Sequence, residues 1–382
     1  MIAHRGASGY RPEHTLEAYR LAIVQGADFI EPDLVATSDG VLIARHDNEI
    51  STTTDVAAHP EFANRRATKL VDGTPITGWF SEDFTLAEIK TLRARERLPA
   101  LRSDNTRFDG LYPIPTFSEI LQLAKRESRD GRVVGVYPET KLPTYFAREG
   151  RRLDGSPIAT SLGAKLVATL VAEAFTDPRR VFIQSFEVEN LIELKTRLMP
   201  AAGIDLPLVQ LYGDLDAATP YDIAYNAGAG ADLAGIYGEL VLRVDGGLDA
   251  RTRYAALAGE SALHWIRANY AAGIGPWKGN LLPGGGNEAG DGDAGETASR
   301  HTGRVHPMLA HALQAGLLVH PYTLRAELVF LTRSAAGITQ SVVDEAVQLY
   351  GLGVQGFFID QPDLGVAARA IFLALEPLPC NS

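Results

Sequence analysis

The chain has 382 residues, 46% hydrophobic and 22% charged, which is apolar material for one large core rather than a string of small modules. Its 36 basic and 47 acidic side chains leave a formal net charge of −11, which argues against nucleic acid or an anionic membrane surface as bulk partner, so an anionic substrate must be drawn by a local cluster of cations. The single cysteine, Cys380, excludes an intrachain disulfide and a thiolate metal cage, and no apolar run approaches the roughly 18 residues of a membrane span.

Met1-Ile2-Ala3 runs straight into the first predicted strand, Ile2 to His4, without a charged-then-apolar leader, so compartment is not readable from composition. A helix is expected from Thr15, then a strand from Phe29 to Leu34 with a hairpin partner at Val41 to Ala44. Residues 50–115, mixed in Pro, Gly and charge, are too long for an ordinary connection and read as an insertion after strand 2. Strands then follow at Val133 to Glu139, Val181 to Ser185, Pro207 to Tyr212, Gly273 to Trp277, Leu317 to Thr323 and Gly356 to Asp360. Helices are expected from Phe117, Thr160, Glu187, Arg251, His306, Ser341 and Leu364. Residues 283–303, rich in Gly and acidic groups, read as a flexible surface loop; their GDGD core lacks the terminal Glu spacing and flanking helices of an EF-hand, which disfavours a calcium loop. Strand alternating with helix eight times predicts an α/β fold, a closed (β/α)8 TIM barrel forming a single domain over 1–382.

In such a barrel the chemistry collects where strands end. Strand 1 ends in His4-Arg5, strand 2 in Glu31-Pro32-Asp33 and strand 3 in Glu139-Thr140-Lys141, and the period of two places each i, i+2 pair on one face. His46-Asp47 follows the short hairpin closely enough to fold over the same mouth. Any one of these alone reads most simply as a cap, a salt bridge or a satisfied core group. Three carboxylates at one mouth repel one another unless a cation sits among them, and all-oxygen ligands select a hard ion such as Ca2+ or Mg2+. Arg5 and Lys141 then offer fixed positive charge to a phosphate, and His4 and His46 supply one base and one acid. Trp277, Tyr322 and Arg325 lie at strand ends as softer substrate contacts, Asp360 reads either as a contact to a substrate hydroxyl or as an arginine's partner, and His14 reads as structural at the start of helix 1.

The stretch HRGASGYRPEHTLEAY at 4–19 resembles the opening signature of the glycerophosphodiester phosphodiesterases, and more narrowly of their periplasmic GlpQ-like branch. EPDL at Glu31, ARHDNEI around His46, YPETK at Tyr137, IQSFE at Ile183, VHPYTLR at Val319 and GFFIDQPD at Gly356 follow in that family's order, over nearly the whole chain. The resemblance implies Glu31, Asp33 and Glu139 as ligands of one divalent cation, with Ca2+ favoured and Mg2+ possible. It implies His4 as proton acceptor, His46 as proton donor, and Arg5 and Lys141 as phosphate contacts. It adds weight to Trp277, Tyr322 and Arg325, makes 50–115 a small capping subdomain, and implies export to the periplasm or outside. The expected activity is hydrolysis of a small-molecule glycerophosphodiester, such as glycerophosphocholine or glycerophosphoethanolamine, to glycerol 3-phosphate and an alcohol. Ser51-Thr52-Thr53-Thr54 in place of a more usual Arg and Thr, and Gln361 in place of a common aromatic, depart from the pattern in ways that bear on substrate fit. A phospholipase D-like enzyme on lysophospholipids needs an apolar rim, which the acidic segment from Pro283 does not suggest; a noncatalytic binding protein on the same barrel sits poorly with intact His4, His46 and three carboxylates.

Overall fold

A computed structural model describes residues 1–128, 131–282, 285–286, 304–333 and 338–375, and in it the eight predicted strand positions close into a parallel ring. The first strand, Ile2–His4, sets Ile2 against Phe29 of the second strand and Phe358 of the eighth. The third stands beside the second at Phe29↔Gly135 and Asp33↔Glu139, and beside the fourth at Glu139↔Gln184. The fifth, Leu208–Tyr212, lies between Ile183–Ser185 and Ala271–Pro276; Leu318–Val319 pairs with the latter, and a parallel bridge from Leu324 to Ile359 completes the circle.

Two strands expected to be continuous are split. Phe29–Glu31 and Asp33–Ala36 flank Pro32, and Gly135–Val136 and Glu139–Thr140 flank Tyr137-Pro138. Proline gives no N–H to the ladder. Both proline carbonyls still accept, from the amides of Glu139 and Gln184 at 2.9 Å each, so the sheet bends at these points without coming apart. Both bends fall beside the carboxylates at the mouth.

Helices start where the sequence supplies caps. Thr15 caps Leu16–Val24, Thr116 and Glu119 form a capping box on Phe117–Glu127, and Ser341 and Asp344 form another on Val342–Gly351. The helix expected from Arg251 is instead Tyr254–Leu257 followed by Glu260–Asn269, separated by Ala258-Gly259. Tyr221–Gly228 and Leu233–Tyr237 were not anticipated, because their Ala- and Gly-rich sequence has a weak apolar period.

Between strand 2 and Phe117–Glu127 the chain makes an antiparallel partner, Leu42–Ala44, then the hairpin Ala67–Val71 and Thr74–Gly78 and short 3-10 turns, among them Pro60–Arg65 and Ser103–Phe108. Phe62 packs edge-on against Phe84 at 5.1 Å, and its carbonyl accepts from the Trp79 indole at 2.7 Å. The hairpin turns on Asp72-Gly73, both at positive φ (46° and 75°), the two-residue turn that suits the strands' twist and that Asp-Gly adopts readily. Of the 283–303 loop, only 285–286 fall within the described residues, paired with 332–333; the GDGD core lies outside them.

Two apolar bodies support the mouth. The larger lies between barrel and helices. The smaller fills the barrel itself with Ile2, Tyr137, Val209 and Phe358, packed against Phe29, Phe182 and Tyr322. Tyr137 stacks on Phe182 at 5.2 Å and meets Phe358 edge-on at 5.0 Å, while its hydroxyl pairs with His320 Nδ1 at 2.9 Å. This plug gives the site a rigid, dry floor. Among the described residues no helix is long and apolar enough to cross a membrane.

Candidate active site

The strand ends open into a cavity of about 230 Å³ whose lining includes His4, Arg5, Glu31, Asp33, His46, Asp47, Glu139 and Lys141. Strand register explains the convergence: His4 pairs with Glu31, and Asp33 with Glu139. One carboxylate oxygen from each of Glu31, Asp33 and Glu139 lies within 4.8 Å of the others, and all three residues are buried.

The chain turns sharply after His4. Arg5 and Gly6 both take positive φ, and a Cβ at Gly6 would stand 2.7 Å from the Ala18 carbonyl carbon, so glycine lets the turn press against the first helix. The Arg5 amide then donates to Glu31 Oε2 at 2.7 Å, while its side chain reaches Glu13 at 3.1 Å and Asp33 at 3.2 Å. Gln184 donates to Glu31 Oε1 at 3.2 Å.

The three carboxyls differ in charge. Burial, then the nearby Asp33 and Glu139, push Glu31 well above the usual carboxylate range. Burial also lifts Glu139 to about 8, with Lys141 opposing and Asp33 adding to the rise. Burial would raise Asp33 too, but Lys141 and His14 outweigh it and hold that group well below its ordinary value. His14 is therefore more than a helix opener. Its Nε2 lies 2.9 Å from Asp33 and its Nδ1 2.7 Å from the Tyr19 hydroxyl, and burial lowers it to about 4. As a neutral ring it donates to Asp33 and accepts from Tyr19, fixing the aspartate's direction.

The two histidines are held differently. Asp360 Oδ1 lies 2.7 Å from His4 Nδ1. Burial would raise Asp360, but Arg102, Arg325 and His4 keep it ionised, so Nδ1 carries hydrogen toward the aspartate. Burial, then Arg5, lowers His4, leaving a neutral ring with Nε2 as its acceptor. His46 Nδ1 meets Asp47 at 2.9 Å and its Nε2 meets Lys141 Nζ at 3.0 Å. An ammonium has only hydrogens to give, so His46 Nε2 accepts and its Nδ1–H faces Asp47. Lys141 also pairs with Glu139 at 2.9 Å.

Behind each histidine stands an arginine from the insertion. Arg102 Nη2 reaches Asp360 at 2.5 Å and its Nε reaches Glu327 at 2.6 Å. Arg97 reaches Asp47 at 2.9 Å and grips Glu13 with two bonds of 2.8 Å. The sequence reading picked out neither arginine, nor Glu13 or Asp72.

The softer assignments fall apart by position. Tyr322 lines the cavity, with its hydroxyl on the Tyr212 carbonyl at 2.8 Å. Arg325 is buried behind the mouth, 3.1 Å from Asp360, so it touches the support of His4. Trp277 is buried outside the cavity lining, its ring against Gly279, where a Cβ would meet it at 2.2 Å. Asp360 is the partner of arginines and of His4.

A closed barrel with three clustered carboxylates, two oriented histidines and two cations at its carboxyl end has the parts of a phosphate-ester hydrolase. The chain belongs to the glycerophosphoryl diester phosphodiesterase family, whose model matches residues 4–364. It is 32% identical over 367 residues to a glycerophosphodiester phosphodiesterase of Arabidopsis thaliana, covering 94% of this chain and 82% of that one. It is 29% identical over 378 residues to a glycerophosphodiester phosphodiesterase of Haemophilus influenzae, covering 96% and 88%. The fold is shared with a solved Agrobacterium tumefaciens glycerophosphodiester phosphodiesterase (TM-score 0.51, 18% identity, 96% and 98% covered). It is shared also with an Oleispira antarctica phosphodiesterase solved with the product sn-glycerol-3-phosphate (TM-score 0.53, 17% identity, 97% and 96% covered).

Proposed function

We propose that this protein hydrolyses glycerophosphodiesters, such as glycerophosphocholine and glycerophosphoethanolamine, to sn-glycerol 3-phosphate and the free alcohol. The observation that carries this reading is the meeting, in one cavity, of the Glu31, Asp33 and Glu139 oxygens with His4, His46, Arg5 and Lys141. The chain's similarity to the Arabidopsis and Haemophilus glycerophosphodiester phosphodiesterases supports it.

The donor set fits a hard divalent cation. All three ligands would be oxygens, and Gln184 adds a buried Oε1 that has no hydrogen-bond donor among the described residues. Glu31, Asp33 and Glu139 would hold the ion, calcium in preference to magnesium. When bound, such an ion supplies stabilisation of negative charge on the phosphoryl oxygens.

The chain's own groups carry the remaining work. His4 Nε2, backed by Asp360, takes the proton of the attacking hydroxyl, whether that belongs to water or to the neighbouring glycerol carbon. His46 protonates the departing alcohol. It accepts from Lys141 in the free protein, so the acid role requires Lys141 to turn its hydrogens to the phosphate while Asp47 stabilises the protonated ring. Arg5, held by Glu13 and Asp33, keeps a fixed positive charge beside the same oxygens. On attack by water the phosphorus–oxygen bond to the alcohol breaks and glycerol 3-phosphate keeps the phosphate; on attack by the glycerol hydroxyl the same bond breaks to leave a cyclic glycerol phosphate, whose ring water then opens to glycerol 3-phosphate.

Export to the periplasm or outside belongs to the same reading, supported by the PEHT form of the first motif; cell fractionation tests it. The activity is tested by a coupled glycerol 3-phosphate assay with product analysis across several glycerophosphodiesters. Glycerol 3-phosphate plus alcohol is expected. Absence of turnover on all of them, or release of glycerol and a phosphorylated alcohol, contradicts the reading.

A further inference from the structure

The cavity has a second half that the phosphoryl chemistry does not use. Beyond Lys141, whose ammonium lies 5.6 Å from the centre of the Phe186 ring, its wall is made of Phe186, Tyr221, Tyr254 and Tyr322, with Asp72 and Glu187 among them. The rings form a connected surface: Phe186 meets Tyr254 at 6.2 Å and Tyr322 at 5.9 Å, both edge-on. Asp72 is delivered there by the Asp-Gly turn of the insertion hairpin, and a Cβ on Gly73 would stand 3.9 Å from the Tyr221 ring.

This half is acidic, and Lys141, the cation that acts on Asp72, is already paired with Glu139. Glu187 is buried and, among the described residues, its carboxylate accepts from Thr144, at the amide and the hydroxyl. Asp72 Oδ1 is shut off from solvent and has no hydrogen-bond donor among the described residues. Among the described residues neither carboxylate is in an ion pair, and the cavity's cationic side chains, Arg5 and Lys141, belong to the reaction centre. Burial, then Glu149, lifts the Asp72 carboxyl to about 7 against the opposing pull of Lys141, with Asp222 adding to the rise. Aromatic faces beside carboxylates are what a weakly hydrated organic cation prefers, since ring quadrupole and charge attract it together.

We propose that this half of the cavity is the subsite for the departing alcohol, and that Asp72 and Glu187, with the wall of Phe186, Tyr221, Tyr254 and Tyr322, select an alcohol bearing an alkylammonium group. The inference rests on the phosphodiesterase reading and makes Asp72 a specificity-determining residue brought by the insertion.

The test compares kcat/KM on glycerophosphocholine with kcat/KM on its neutral isostere, the glycerophospho ester of 3,3-dimethylbutanol, in metal-loaded wild type and Asp72→Asn. Wild type is expected to favour the charged diester by about tenfold or more, and Asp72→Asn to remove most of that preference. Equal efficiency on both diesters in wild type, or a preference unchanged by Asp72→Asn, overturns the subsite; absence of turnover on both diesters rejects the phosphodiesterase reading instead. Inhibition of wild type by free choline and by 3,3-dimethylbutanol keeps the matter decidable if the variant does not fold. Choline is expected to inhibit about tenfold more tightly, and equal inhibition overturns the proposal.

Discussion

Arg102 binds Asp360 across 258 positions of sequence, and Asp360 in turn holds His4, so a residue of the insertion sets the ring of a histidine at the end of the first strand. Arg97, five positions earlier, holds Asp47 and through it His46. The insertion thus does more than roof the cavity: it fixes the carboxylate behind each proton-transfer group.

If that support matters for turnover rather than for substrate affinity, Arg102→Ala lowers kcat by about 10- to 100-fold and changes KM by less than about threefold. Arg102→Lys restores part of the loss, because an ammonium keeps the charge near Asp360 but not the second bond to Glu327. Steady-state kinetics on the three proteins decide the matter; a loss carried by KM would move Arg102 to substrate binding.

His46 is expected to matter in proportion to how badly the alcohol leaves, because a good leaving group needs no proton in the transition state. His46→Ala should lose roughly 10²- to 10⁴-fold on glycerophosphocholine and far less on a glycerophospho-nitrophenyl ester. His4→Ala should be impaired on both. Rescue of His4→Ala by the nitrophenyl leaving group would reverse the acid and base roles.

Asp222 offers a stability test away from the reaction centre. Its burial holds the carboxyl up at about 7, whereas an unfolded aspartate titrates near about 4. The folded chain binds this proton more tightly than the unfolded one. The resulting stability is complete below about pH 4 and is lost as pH rises through about 7. Asp222→Asn retains an acceptor for the Glu189 amide and the Tyr237 hydroxyl and should raise Tm by at least about 2 °C at pH 8, with a smaller gain at pH 5. Thermal melts at the two pH values check it; an equal shift at both would assign the effect to packing.

The barrel and its mouth were legible because their signals are local. His4-Arg5, Glu31-Pro32-Asp33 and Glu139-Thr140-Lys141 each sit at the end of a short apolar run, and strand register then brings His4 to Glu31 and Asp33 to Glu139. Arg97 and Arg102 were not legible, since two of the four arginines in RARERLPALR look like any charged surface until the fold sets Asp47 and Asp360 beside them. The Asp72-Gly73 turn carried a usable signal, an Asp-Gly pair between two short β-prone runs, but its arrival at the cavity depends on how the insertion folds back. Arg325 and Trp277 show the reverse case. Both follow strands that point at the mouth, yet Arg325 turns toward Asp360 and Trp277 packs on Gly279.

Turnover under chelation tests the Glu31, Asp33 and Glu139 site most directly. With glycerophosphocholine as substrate and glycerol 3-phosphate as the product measured, excess chelator should abolish activity, and add-back of Ca2+ should restore it at least as well as Mg2+. Glu31→Ala and Asp33→Ala should each weaken calcium binding, measured by titration, by about tenfold or more. Full activity in excess chelator, or calcium binding unchanged in both variants, would contradict the assignment.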